Sequence, residues 1–219
     1  MSAARSALLS ALVALMISTR PDGIARIAIS GSDGAGKTRL ADELAPLVTT
    51  AGRPAIRASI DGFHNPKAVR HAKGRTSPEG FYRDSFNLDL FREALLDPLA
   101  PGGDRHYRSA GYDHRIDGAV DAPVQVAPAN AVLIVDGIFL LRRELAELWD
   151  LTIFLDVPFE QTFSRMALRD GSPPDEEAPE NQRYRQGQRL HFSEDQPQAR
   201  ADILIDYADL AAPRATRGL

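Results

Sequence analysis

The chain has no cysteine among its 219 residues and a single tryptophan. Disulfides and thiolate metal sites are thereby excluded, and a reducing compartment presents no difficulty. No long basic tract is present and the formal net charge is −4, so a nucleic-acid polymer is not an expected partner. Long apolar runs are missing too. The most apolar stretch, Ala7 to Ile17, is interrupted by Ser10 and is too short to span a bilayer. Arg5 ahead of it resembles the start of a signal peptide, but Ser18-Thr19-Arg20-Pro21-Asp22 offers no small-x-small cleavage site. Leu8, Leu9, Leu12, Val13, Leu15 and Met16 suit one broad helical face, so residues 1–20 are expected to form a structural N-terminal helix, with no membrane partner. No internal repeat or second core is visible, and 43% hydrophobic content over this length fits one α/β domain spanning 1–219.

What is present is a complete phosphate-binding loop, Gly31-Ser32-Asp33-Gly34-Ala35-Gly36-Lys37-Thr38. Its glycines let the backbone curl so that successive N–H groups face an anion. Lys37 supplies a point charge for the β- and γ-phosphates, and the Thr38 hydroxyl is a Mg²⁺ ligand candidate. The strand-like Arg26-Ile27-Ala28-Ile29-Ser30 precedes the loop, and Leu40, Leu44, Leu47 and Val48 follow at helical spacing. An anion would therefore sit at a helix N-terminus.

Further along, Pro54 to Ile60 reads as a strand ending in Asp61-Gly62-Phe63-His64, and Asn65 to Arg83 is polar and rich in turn residues. Leu88 to Leu99 reads as a helix, and residues 104–128 as irregular or short-stranded. Ala131 to Val135 is an apolar run ending in Asp136-Gly137, as a strand covered on both faces requires. A short helix from Glu144 to Trp149, a strand from Leu151 to Val157, a helix from Pro158 to Arg169, a basic helix from Asn181 to Phe192 and a last strand at Ile203-Leu204-Ile205 complete the order. Strands alternating with helices predict a doubly wound parallel sheet whose ligands lie beyond the carboxyl ends of the strands. Gly31, Asp61 and Asp136 all fall there.

Asp61 is the candidate base that would orient an attacking hydroxyl and take its proton, and Asp136 the candidate carboxylate for Mg²⁺. Arg165 and Arg169 share a helix face; with Arg183, Arg185 and Arg189 they could close over a transferring phosphoryl as a lid at about 170–190. Asp175, Glu176 and Glu177 read as a solvated lid tip. The five histidines match no zinc spacing and read as surface or substrate-site groups. Phe63, Phe81, Tyr82, Tyr107 and Tyr112 could pack against a planar substrate, with at least half of them serving as core.

From Ile24 to Asp209 the order of motifs resembles the uridine kinase and phosphoribulokinase family of P-loop kinases. Gly31 to Thr38, Asp61 to His64, Tyr112-Asp113-His114-Arg115, Val135-Asp136-Gly137-Ile138 and Arg165 to Asp170 carry the likeness. It is similar to bacterial proteins called uridine kinase, with pantothenate kinase and nicotinamide riboside kinase as further relatives. The resemblance implies a three-layer fold with a five-stranded parallel sheet flanked by helices and a helical lid. It implies ATP with Mg²⁺ as donor and a hydroxyl deprotonated by Asp61. Tyr112, His114 and Arg115 would lie over the acceptor, with Phe63, His64 and Tyr82 at the same site. Arg165 and Arg169 would serve the ATP site, and the loop around Tyr207 to Asp209 would border the adenine. Two departures stand out. Where well-characterised uridine kinases carry Phe-Asp-His-Pro, this chain has Arg75-Thr76-Ser77-Pro78, with Asp84 as a substitute carboxylate; and the strand-end acid is Asp136 where the family often has Glu.

The expectation is a cytoplasmic ATP-dependent kinase of a small hydroxylated metabolite, uridine or another nucleoside first, with Asp61, Lys37 and Arg169 as the catalytic group. Pantothenate, nicotinamide riboside and sugars are rival acceptors. A GTPase-like switch would need an N-K-x-D string late in the chain, which is missing, and a degenerate structural homologue would not need an intact Lys37, Thr38 and Asp61. The oligomeric state, a homo-oligomer included, is open.

Overall fold

A computed structural model describes residues 2–219. In chain order the elements are α1 (Ala3–Ser18), β1 (Ala25–Gly31), α2 (Lys37–Thr50), β2 (Ala55–Ser59), α3 (Lys67–Arg70), α4 (Pro78–Asp84), α5 (Leu88–Phe91), the short strands β3 (His106–Tyr107), β4 (Tyr112–Asp113), β5 (Gly118–Ala119) and β6 (Gln125–Val126), then β7 (Val132–Asp136), β8 (Leu151–Asp156), α6 (Phe159–Asp170), α7 (Gln182–Asp195), α8 (Pro197–Arg200), β9 (Ile203–Asp206) and β10 (Arg214–Arg217). The main sheet runs β10-β9-β8-β1-β7-β2. The five strands from β9 to β2 are parallel, as expected, and β10 adds an antiparallel edge that the sequence reading ended one strand short of.

Every residue of β1 and β7 is buried, because helices cover both faces of the sheet. Side chains alternate between the faces. Ile27, Ile29, Ile134, Ile153 and Leu155 pack with Leu8, Leu12 and Met16 of α1 and Leu40, Leu44 and Val48 of α2. Ala28, Leu133, Val135 and Phe154 face the other way, onto Phe63, Phe81, Tyr82, Phe91, Leu95, Phe139 and Trp149. The apolar N-terminal stretch is thus a helix of the first layer, and no helix among the described residues is long and apolar enough to cross a membrane.

Local chemistry accounts for the departures from the sequence reading. The polar stretch after His64 holds two short helices, and Ser77 caps the second by accepting from the Gly80 N–H at 3.0 Å, with Pro78 at the helix start. The helix expected over Leu88–Leu99 is capped by Asn87 but passes into a π turn at Arg92–Leu96.

Candidate active site

β1, β2 and β7 deliver their functional residues to one end of the sheet, since Ile29 and Ser59 both register with Asp136. β1 runs into the phosphate loop, and α2 begins at Lys37 with Gly36 in the left-handed region at φ 97°. Gly36 also lets the ring of Tyr207 lie close, as a Cβ there would meet that ring at 3.3 Å. Gly34, at φ 78°, sits against the carbonyl of Thr162 on α6, where a side chain could not fit. The loop is thus gripped between α6 and the segment after β9.

Lys37 is buried and its Nζ donates to the Ser32 carbonyl at 2.7 Å. Burial pushes its pKa down, while the charges of Asp33, Asp61 and Asp136 act against that loss. Three separate carboxylates therefore act on one ammonium. The Thr38 hydroxyl donates to Asp136 Oδ2 at 2.6 Å, and Arg57 Nη2 donates to Asp136 Oδ1 at 3.0 Å. Mg²⁺ takes hard oxygen ligands and commonly keeps one or two from protein with the rest from phosphate and water. The paired oxygens of Thr38 and Asp136 beside the loop fit that donor set.

Asp61 is the second residue of a 3₁₀ turn over Ile60–Phe63, where its N–H is held by Ser59 Oγ at 3.3 Å. Its carboxylate is exposed and accepts no hydrogen bond among the described residues. His64 Nδ1 lies 2.9 Å from the Asp61 carbonyl, and its ring is 4.5 Å from that of His114. Burial is the main cause holding His64 below the usual imidazole range. The hairpin of β4 and β5 is drawn onto this turn by the Gly111 N–H donating to the Gly62 carbonyl at 2.8 Å. Tyr112 spends its hydroxyl on Asp117 at 2.6 Å, and Arg115 is exposed and donates to Asp113. Asp84 accepts from Lys73 Nζ at 2.9 Å.

Two expected substrate contacts are corrected. Phe63 is fully buried with its ring 5.0 Å from that of Phe91. Tyr82 is buried against Phe139 and His191 and donates its hydroxyl to Asp195, and burial together with that bond pushes its pKa up. Both are core residues.

The arginines divide. Arg165 Nη1 donates to the Ala35 carbonyl at 3.3 Å and Nη2 to Ala208 at 2.6 Å, joining the phosphate loop to the segment after β9. Arg169 is largely exposed, with Nη1 3.6 Å from Asp33 and Nη2 2.9 Å from Asp170. Arg185 is buried and pairs with Glu176 and Glu177, so both acids serve α7 as counter-charge; Glu176 is partly covered, while Glu177 stays exposed as the solvated-tip reading expected. His191 also departs from the reading as a surface or substrate group: it is buried, with Nδ1 2.7 Å from Asp195.

Two residues escaped the sequence reading. Gln188, buried on α7, accepts the Asp33 N–H at 2.7 Å, so α7 touches the loop. A glutamine inside a basic helix carries no signal for this. Arg5 of α1 donates to Tyr207 Oη at 2.7 Å, to the Leu210 carbonyl at 2.8 Å and to Glu43 at 2.8 Å. A lone arginine opening an apolar helix was the only hint.

A family model described as the phosphoribulokinase / uridine kinase family matches residues 26–173. The chain belongs to that family. The match starts at β1 and stops just beyond α6, so it takes in the phosphate loop, Asp61, Asp136, Arg165 and Arg169 and leaves α1 and α7 outside. Among curated proteins, the uridine kinase of Leuconostoc citreum is 29% identical over 154 residues, which is 66% of this chain and 67% of that one. Among solved structures, one named "Possible Uridine Kinase" from Bacillus stearothermophilus shares the fold with a TM-score of 0.71 at 20% identity, covering 90% of this chain and 97% of that one. Phosphoribulokinase from Rhodobacter spheroides aligns with a TM-score of 0.57 at 16% identity over 87% and 74% of the two chains. The family's P-loop kinase fold is therefore that of this chain.

Proposed function

We propose that the chain is an ATP-dependent kinase that moves the γ-phosphoryl group onto a hydroxyl of a small metabolite. One observation carries the reading: the free carboxylate of Asp61 opens at the same sheet end as Lys37 and the Thr38–Asp136 pair. The loop N–H groups and Lys37 would bind the triphosphate and offset its charge. Asp61 would align the acceptor hydroxyl and take its proton as the oxygen attacks the γ-phosphorus. The bond to the bridging oxygen then breaks and leaves ADP and a phosphomonoester. Mg²⁺, held by Thr38 and Asp136, would supply charge neutralisation between the phosphates when bound. Arg169, the exposed cation beside Asp33, is the candidate for contact with the moving group, and residues 170–190 for a lid over it. Use of ATP in this way suits a cytoplasmic setting.

The names of the relatives make uridine and other nucleosides the first acceptors to try. The lack of a carboxylate in Arg75–Pro78 favours a second group, pantothenate, nicotinamide riboside or a sugar. Family membership speaks for a kinase over a GTP-driven switch. The test is ADP release with ATP, Mg²⁺ and each acceptor in turn. Wild-type protein should turn over at least one, and Asp61→Asn should keep ATP binding while losing about 10²–10⁴ of the rate. Full phosphotransfer by Asp61→Asn would remove Asp61 as the base.

A further inference from the structure

The acceptor side of the cleft is crowded with cations. Next to the Asp61–His64 turn, Arg70 donates from Nε to the Asn65 carbonyl at 2.9 Å. Arg183 of α7 reaches across to the same region, donating to the carbonyls of Arg75 and Arg70 and lying 5.7 Å over the Phe81 ring. Lys67 and His71 flank Arg70 in α3 and just after it.

Counter-charge is scarce here. Asp117 lies 3.7 Å from Arg70 but is shared with the Tyr112 hydroxyl and the Lys67 N–H. Asp84 and Glu79 are engaged by Lys73, and Glu79 also by Arg83. Among the described residues Lys67, Arg75 and Arg183 have no carboxylate in ion-pair range, and Arg183 Nε is buried without a partner. The excess is felt at His71, held below the usual imidazole range first by burial and then by Arg183, Arg70, Arg75 and Lys67. A cluster of guanidinium groups with unused donors recognises planar or tetrahedral oxyanions, ideally by two parallel N–H bonds. A neutral sugar or base would leave that charge unanswered.

We infer that the acceptor carries an anionic group, a carboxylate or a phosphate, bound by Arg75 and Arg183 with Arg70 and His71 beside them, while its hydroxyl faces Asp61. This rests on the reading of the Asp61 side as the acceptor site. It makes a hydroxylated acid or a phosphorylated sugar the substrate class and sets a neutral nucleoside aside.

The experiment uses matched pairs: D-glycerate against glycerol for the carboxylate, and ribose 5-phosphate against ribose for the phosphate, with uridine added. Binding is measured by calorimetry on the full chain saturated with Mg²⁺ and a non-hydrolysable ATP analogue. At least one charged member should bind about tenfold or more tightly than its uncharged partner, and Arg75→Gln and Arg183→Gln should each erase that preference. The Arg75 side chain makes no hydrogen bond among the described residues, so its loss should leave folding intact. Unchanged binding of the ATP analogue checks the fold of Arg183→Gln. The inference is overturned if no charged probe binds, if the uncharged partners or uridine bind as tightly, or if the preference survives both substitutions. An anion that binds with the expected Arg75 dependence, in a protein that makes no ADP with any acceptor, would instead sink the kinase reading, and the anion site would stand without an acceptor role.

Discussion

Asp136 sits between a hydroxyl and a guanidinium, and its charge is what both partners answer. Asp136→Asn keeps the shape and removes the charge. The Mg²⁺ concentration for half-maximal turnover should rise, and the rate should fall by about 10–100-fold. A magnesium titration of ADP release checks this, and an unchanged requirement would take Asp136 out of the metal site. Tyr82→Phe tests the opposite assignment. Removing one buried hydrogen bond to Asp195 should cost about 1 kcal/mol in urea unfolding and leave the acceptor KM untouched; a raised KM would return Tyr82 to the substrate. At this scale the phosphate loop was legible, because eight consecutive residues define it. The aromatic contacts were not. Side chains in a 3₁₀ turn step by about a third of a circle, so Asp61 and Phe63, two apart, face solvent and core. No local pattern separates that outcome from a shared face.

Among the elements, the parallel strands could be read from apolar runs ending in Asp or Gly, since burial on both faces imposes that composition. β10 could not. Arg214-Ala215-Thr216-Arg217 is mostly exposed, and its charges suit a sheet edge and give no hydrophobic signal. The N-terminal helix was legible as structure but not as a brace. Arg5 fixes Tyr207 and Leu210, and Tyr207 leans on the loop at Gly36. Arg5→Met should therefore raise the ATP KM several-fold while leaving kcat at saturating ATP nearly unchanged. Steady-state kinetics against a melting curve separates this from simple destabilisation, which would lower the melting temperature with KM intact. Leu12→Ala, at a fully buried site of the same helix, should cost about 2–5 kcal/mol without moving KM.

For the molecule as a whole, stability should depend on pH through His191. Burial holds its folded-state pKa below the usual imidazole value, against the pull of Asp195 and Glu144 and with that of Arg142. The unfolded chain then binds the extra proton first as pH drops below about 6.5, so the stabilisation is present above that value and is lost on acidification. His64 and His71 shift in the same direction. The melting temperature should fall between about pH 7 and pH 5, and His191→Gln should flatten part of that slope; an unaltered slope would show that His191 gains its proton in the fold without cost. The order of layers was visible from the alternation of strands and helices, whereas this buried His–Asp–Tyr cluster joins residues 82, 191 and 195, which only the packing of α4 on α7 brings together.

The bond from Asp33 to Gln188 ties the rim of the loop to α7. Any swing of α7 outward leaves that amide hydrogen to water, and any tightening of the rim about an anion asks the glutamine to let go. Were residues 170–190 to act as the proposed lid, filling the loop and lifting α7 would draw on the same hydrogen bond.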